Sequence, residues 1–230
     1  MTSSSTPSSI PPGVRAAKPA LRLIAYTDYK SPYAYVASRA TQALALEYPV
    51  ELIWRPYTLR IAEYLDAVDS RSAHNWRKVK YAYMDARRLA NRQGLTLMGP
   101  RRIYTGELCS VGMLFAQQAG FFAAYHEATF ARFWRHELDI DSMDEMTAHI
   151  AALGGDPAAF ERYALGAGRD EHQAIVEDAE QRGVFGVPMI VFEDELFWGG
   201  DRIGLVRQAI EQRLGADAAA RRAARGGLVR

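Results

Sequence analysis

The sequence predicts an α/β domain interrupted by a large all-helical insertion. Three observations carry that expectation: a strand–helix–strand pattern near the start, a long middle stretch with helical but no strand periodicity, and a closing strand–strand–helix pattern.

The opening strand spans residues 21–27, where apolar side chains alternate with polar or small ones before the turn-like Asp28-Tyr29-Lys30. From Ser31 to about Tyr48 apolar residues fall at helical spacing. Pro32 occupies a first helical position, where its missing N–H and fixed φ cost little. Residues 50–56, VELIWRP, form a second strand stopped by Pro56. In the middle stretch, residues 72–93 predict a long helix ending at Gly94, a natural left-handed cap. Helices are also expected over 107–135 with a break near Gly120, and over 143–153, 157–166 and 169–182, the last ending at Gly183. Strands return at Met189–Phe192 and Glu195–Trp198, joined by the two-residue connection Glu193-Asp194, and a final helix covers about 201–214.

A crossover from the first strand through its helix to the second implies a parallel pair, and the late hairpin adds antiparallel strands. This order is that of a thioredoxin-like fold (βαβ…ββα) with a helical insertion after the second strand. The expected division is a disordered tail over 1–20, a thioredoxin-like domain from 21–56 and 183–214, a helical insertion domain over 57–182, and a flexible tail over 215–230.

Composition narrows the function. The chain has 230 residues, 49% of them hydrophobic, enough for a sizeable core. Lysines and arginines number 28 against 27 acids, so a net charge of +1 gives no overall field for nucleic acid or an anionic membrane. No run approaches the roughly 20 apolar residues that span a bilayer. Residues 1–20 are rich in Ser and Pro and lack the apolar core of a secretory signal. The lone cysteine, Cys109, rules out an internal disulfide and a cysteine metal site and is expected to be a small buried apolar residue. These features together suggest a cytoplasmic protein. The five histidines show no metal-ligand spacing: His126 and His136 are separated by about 15 Å of helix.

Two local features bear on chemistry. Val187-Pro188 opens the hairpin, at a position that holds a cis-proline beside the active site in thioredoxin-like folds; an ordinary trans proline after a loop is the alternative. Opposite it, where a dithiol oxidoreductase carries C-x-x-C, stands Ser31-Pro32-Tyr33-Ala34, so disulfide chemistry is excluded. Ser31 is either a plain N-cap or a hydroxyl that holds a sulfur brought by a ligand.

The segments SPYAY (31–35), KYAYMDARRLANRQG (80–94) and GVFGVPMIVFEDELFWGGDRI (183–203) resemble the 2-hydroxychromene-2-carboxylate isomerases. These are glutathione-dependent relatives of kappa-class glutathione transferases and of DsbA-like thioredoxin-fold proteins. The similarity covers roughly residues 21–214, and its last segment is the most specific. It implies that Ser31 meets the glutathione sulfur. It also implies that Val187, before Pro188, pairs its backbone with the cysteinyl part, and that Asp201 and Arg202 hold the γ-glutamyl end. Lys80 is implied to meet a carboxylate of glutathione or substrate, with a solvated helix lysine as the alternative. Tyr33, Tyr83 and Trp54 are candidates for the substrate pocket, and Arg101, Arg102 and Tyr104 for a differing acceptor site. The Asn-x-Pro-Pro-like segment that relatives carry after the second strand is missing here, and Asn75 is the only asparagine in that region.

The resemblance therefore implies a glutathione-dependent cis–trans isomerase of an unsaturated aromatic 2-oxo acid, working as a homodimer on a small molecule in aromatic catabolism. The rivals are a kappa-like transferase with another electrophile, and a redox-inactive thioredoxin-fold binding protein.

Overall fold

The computed structural model describes residues 21–61 and 70–215. Its sheet has four strands, β1 (Leu21–Thr27), β2 (Val50–Pro56), β3 (Met189–Phe192) and β4 (Glu195–Trp198), in the order β2-β1-β3-β4. β1 and β2 are parallel, Leu21 facing Val50, while β3 runs antiparallel to both β1 and β4. The expected thioredoxin-like order is therefore present. Helix α1 (Pro32–Glu47) makes the crossover.

The block between β2 and β3 contains α2 (Ala73–Arg92), α3 (Glu107–Gln118), α4 (Phe122–Trp134), α5 (Met143–Ala152), α6 (Pro157–Ala164) and α7 (Ala167–Gln181), and α8 (Ile203–Leu214) closes the chain. The stops fall where glycines supply positive φ: Gly94 at +67°, Gly120 at +82° and Gly183 at +83°. The break between α3 and α4 lies at Gly120 as the sequence indicates. The hairpin turn is Glu193-Asp194, with Glu193 at φ +56°. No helix among the described residues is long and apolar enough to cross a membrane.

One apolar cluster joins sheet and block, from Leu23 and Ala25 in β1 to Phe160 in α6 and Ile150 in α5. α8 is tied to the end of α1 by the paired Arg207–Glu47 bonds, 2.7 and 2.8 Å, and by the Tyr48 hydroxyl on Glu211. Gly112 in α3 is required by close approach, because a Cβ there would lie 2.4 Å from the Tyr125 hydroxyl. That hydroxyl donates to the Cys109 carbonyl at 2.6 Å.

Three buried histidines hold the block together and to its neighbours. His126 lies between the Tyr29 hydroxyl (3.1 Å) and the Ser38 hydroxyl (2.9 Å), and burial lowers its pKa to about 3. His149 meets Thr129 and accepts from Arg132; burial first and then the Arg132 charge lower it to about 4. His172 meets the Thr58 hydroxyl at 2.8 Å and is likewise lowered, chiefly by burial. Among the described residues no group of metal-ligand side chains comes together.

Candidate functional site

The site forms where β1 ends and α1 begins. Pro32 removes the first helical N–H, and Ala34 N–H donates to the Ser31 hydroxyl oxygen at 3.2 Å. Ser31 is thus an N-cap, and its own hydroxyl proton remains a donor. Tyr33 N–H has no acceptor among the described residues. Two donors, the Ser31 O–H and the Tyr33 N–H, therefore share the positive end of a 16-residue helix. Such an arrangement favours an anion.

Register brings the second wall to it. Tyr26 pairs with Met189, so one step further along the antiparallel strands sets Pro188 beside Thr27 and Val187 beside Asp28. The Val187-Pro188 bond is cis, which answers the question the sequence left open. Neither polar backbone group of Val187 has a partner among the described residues, whereas the Pro188 carbonyl accepts from Gly199 N–H at 2.9 Å. An extended ligand can complete that short edge as an added strand. The buried Thr27 hydroxyl is also without a partner among the described residues.

The third wall is the turn after β4. Gly200 presses on α1 so closely that a Cβ would lie 3.0 Å from the Ala37 side chain. Ala37 is six residues from Ser31, about 9 Å along the helix, close to the reach of an extended tripeptide. Asp201 and Arg202 stand here, exposed and paired with each other. They offer a carboxylate and a guanidinium for the two charges of an amino acid. Asp201 belongs to a short 3-10 turn and makes no cap hydrogen bond to α8, whose N-cap is Arg202.

Behind the site lies a pair that the sequence reading passed over as turn residues. Asp28 is fully buried and accepts from Lys30 N–H, from the Lys30 ammonium and from Leu59 N–H. Lys30 is itself buried, beneath Gly106 at φ +74°, where a Cβ would meet its ammonium at 3.1 Å. Gly106 N–H is held by Asp141, whose carboxyl lies below the usual range because hydrogen bonds from Gly106, Thr105 and Arg102 outweigh its burial.

The remaining candidates are placed as follows. The Tyr33 hydroxyl donates to Asp85 at 3.1 Å; burial and then that bond raise its pKa to about 12. Tyr83 is half-buried against Trp134 and also raised to about 12 by burial, which outweighs the lowering effect of the Arg71 charge. Trp54 is buried against His126, ring centres 4.4 Å apart, and faces the core. Lys80 is exposed and lies five residues from Asp85, about 140° round the helix from the Tyr33 contact. Lys78, seven residues before Asp85, shares its stripe. Arg102 is held by Asp139 and Asp141 over the Tyr104 ring, a surface clamp. Phe185 and Trp198 make an exposed aromatic corner beside Gly186, ring centres 4.9 Å apart. Their sequence signal is a pair of aromatics flanking the Val-Pro step.

Comparison with known proteins agrees with this geometry. Residues 22–211 match the model of the DSBA-like thioredoxin domain. A 2-hydroxychromene-2-carboxylate isomerase of Pseudomonas putida is 26% identical over 189 residues, 80% of this chain and 92% of that protein. One from Sphingobium xenophagum is 28% identical over 182 residues, 77% and 92% of the two chains. A solved 2-hydroxychromene-2-carboxylate isomerase, 26% identical, superposes with a TM-score of 0.70 over 84% of this chain and 96% of its own. A probable DsbA oxidoreductase from Streptomyces coelicolor, 18% identical, shares the fold at 0.69 over 84% of this chain and 89% of its own. With its four-stranded sheet, cis-proline step and helical insertion, the chain belongs to the DSBA-like thioredoxin family.

Proposed function

We propose that this chain is a glutathione-dependent cis–trans isomerase of an unsaturated aromatic 2-oxo acid, of the 2-hydroxychromene-2-carboxylate isomerase kind. The observation that carries the proposal is the pair of donors at the start of α1, Ser31 O–H and Tyr33 N–H, in a site with no cysteine of its own. The similarity to named isomerases over most of the chain supports the reaction class.

The residues fit the cofactor. Val187 offers an N–H and C=O without a partner among the described residues for the peptide, and Asp201 with Arg202 offers opposite charges at the distance of its far end. Glutathione would supply a thiolate that adds to a conjugated carbon and leaves again once the former double bond has turned. Ser31 and Tyr33 N–H hold negative charge on the sulfur, which lowers the cost of the thiolate at neutral pH. Tyr33, fixed by Asp85, walls the acceptor side, and its raised pKa keeps the phenol neutral.

The test is retention on immobilised glutathione, followed by conversion of a 2-hydroxychromene-2-carboxylate in the presence of free glutathione. We expect both, and loss of turnover in Ser31→Ala. Retention with activity only toward other electrophiles would indicate a transferase. No retention would leave a redox-inactive binding protein.

A further inference from the structure

We infer that the outer face of α2 is an electrostatic funnel that gathers anionic substrates at the mouth of the Ser31 site. The identity of those anions, glutathione and a 2-oxo carboxylate, rests on the proposed function; the field itself does not.

The charge of this protein is strongly uneven. Residues 71–103 hold nine lysines and arginines against one acid, Asp85, a net of +8 in a chain whose total is +1, so the remainder carries −7. Counting back through residues 60–70 adds one arginine and three acids and leaves +6. On α2 itself stand Arg77, Lys78, Lys80, Arg87, Arg88 and Arg92, all exposed, and none is in an ion pair among the described residues. The one acid is occupied by the Tyr33 hydroxyl. Elsewhere arginines are neutralised locally: Arg22, Arg182, Arg207 and Arg213 each meet a carboxylate within 2.8 Å.

The position of the helix gives the charge a use. Tyr33 of α1 touches Asp85, and Val36, further along α1, accepts from Gln93 at 2.9 Å. The two helices thus run in the same direction. Residues 73–84 of α2 continue past the start of α1 for about 18 Å, over the side where Ser31 and the open N–H lie. The N-terminus of α2 adds its own positive pole there. A concentrated field of one sign beside a cleft raises the encounter rate of small anions roughly tenfold or more, and salt screens it over about 8 Å at physiological strength.

The field can be read without any ligand. Trp54 and Trp134 are buried, so in a Trp198→Phe background Trp76 of α2 is the one exposed indole among the described residues. We expect its iodide-to-caesium quenching ratio at low salt to be several-fold above that of free tryptophanamide, which iodide already quenches more efficiently. The ratio should fall toward the free-indole value in Arg77→Gln/Arg88→Gln/Arg92→Gln and persist when the same three become lysine. In turnover, kcat/KM should drop about five- to tenfold between low and high salt while kcat holds, and the glutamine triple variant should flatten that dependence. A quenching ratio no higher than that of free tryptophanamide overturns the inference, as does an active enzyme with a salt-independent kcat/KM. Absence of glutathione retention and of turnover overturns the reading of the site instead, and the quenching still decides the field.

Discussion

In the helical block His126 and His149 each use both ring nitrogens, on Tyr29 and Ser38 and on Thr129 and Arg132, while beside the sheet the Tyr33 N–H and both polar groups of Val187 have no partner among the described residues. Both regions hold polar groups in a protein interior or at its edge. In one the hydrogen bonds are closed within the chain and add to stability; in the other they are left for a visitor. A buried polar group without a partner costs about 1–3 kcal/mol, so open groups persist only where water or a ligand can reach them. The contrast separates the part that holds the fold from the part proposed to hold a ligand.

Asp28 and Lys30 cut across this division, since they belong to the site region and are nevertheless fully paired. Asp28→Ala should therefore cost about 3–5 kcal/mol, because it strands a buried ammonium. Urea unfolding would measure this, and Asp28→Leu/Lys30→Met should recover most of it. If the single variant is nearly neutral, the pair is not the floor of the site. In the block, His126→Leu leaves the Tyr29 and Ser38 hydroxyls unmatched and should cost about 3 kcal/mol, with glutathione retention per folded molecule unchanged.

Acid should find the block first. His126 and His149 have folded pKa values of about 3 and about 4, below the ordinary 6.5, so the unfolded chain takes up protons that the folded one refuses. Their stabilising effect is complete above pH 6.5 and is lost as pH falls toward those values. At pH 5 the loss for His126 alone should be about 2 kcal/mol, seen as a lower urea midpoint than at pH 7. The smallest effect belongs to the site. Ser31→Ala removes a cap worth about 1 kcal/mol of stability, yet it should abolish turnover, the sharpest statement of the contrast between the two regions.

Much of the fold was legible in the sequence because it rests on local rules. The strand bounds, Pro32 at the helix start, the glycine stops and the two-residue hairpin all follow from nearest-neighbour chemistry. Ser31 and the Val187-Pro188 step were legible for the same reason. What sequence did not give is what joins distant segments. Nothing local marks His126 as the partner of Ser38, 88 residues away, or Asp141 as the anchor of Gly106. Trp54 is a pocket candidate near the end of a strand, and the structure sets it against His126. Lys80 and Asp85 share one helix, but only helical phase tells which stripe of α2 meets Tyr33. The overall charge concealed the polarity of α2, since a sum carries no positions.

The one thiol of this chain, Cys109, is wholly buried in α3, donates to the Gly106 carbonyl and has its pKa pushed well up by burial. It is neither a nucleophile nor a target for alkylating reagents or peroxide. With glutathione as the proposed source of the working sulfur, oxidative damage would fall on a dissolved tripeptide that can be reduced or replaced, and the folded chain would stay serviceable. Under that proposal its output would be geared to the supply of reduced thiol around it, with no reactive thiol of its own to wear out.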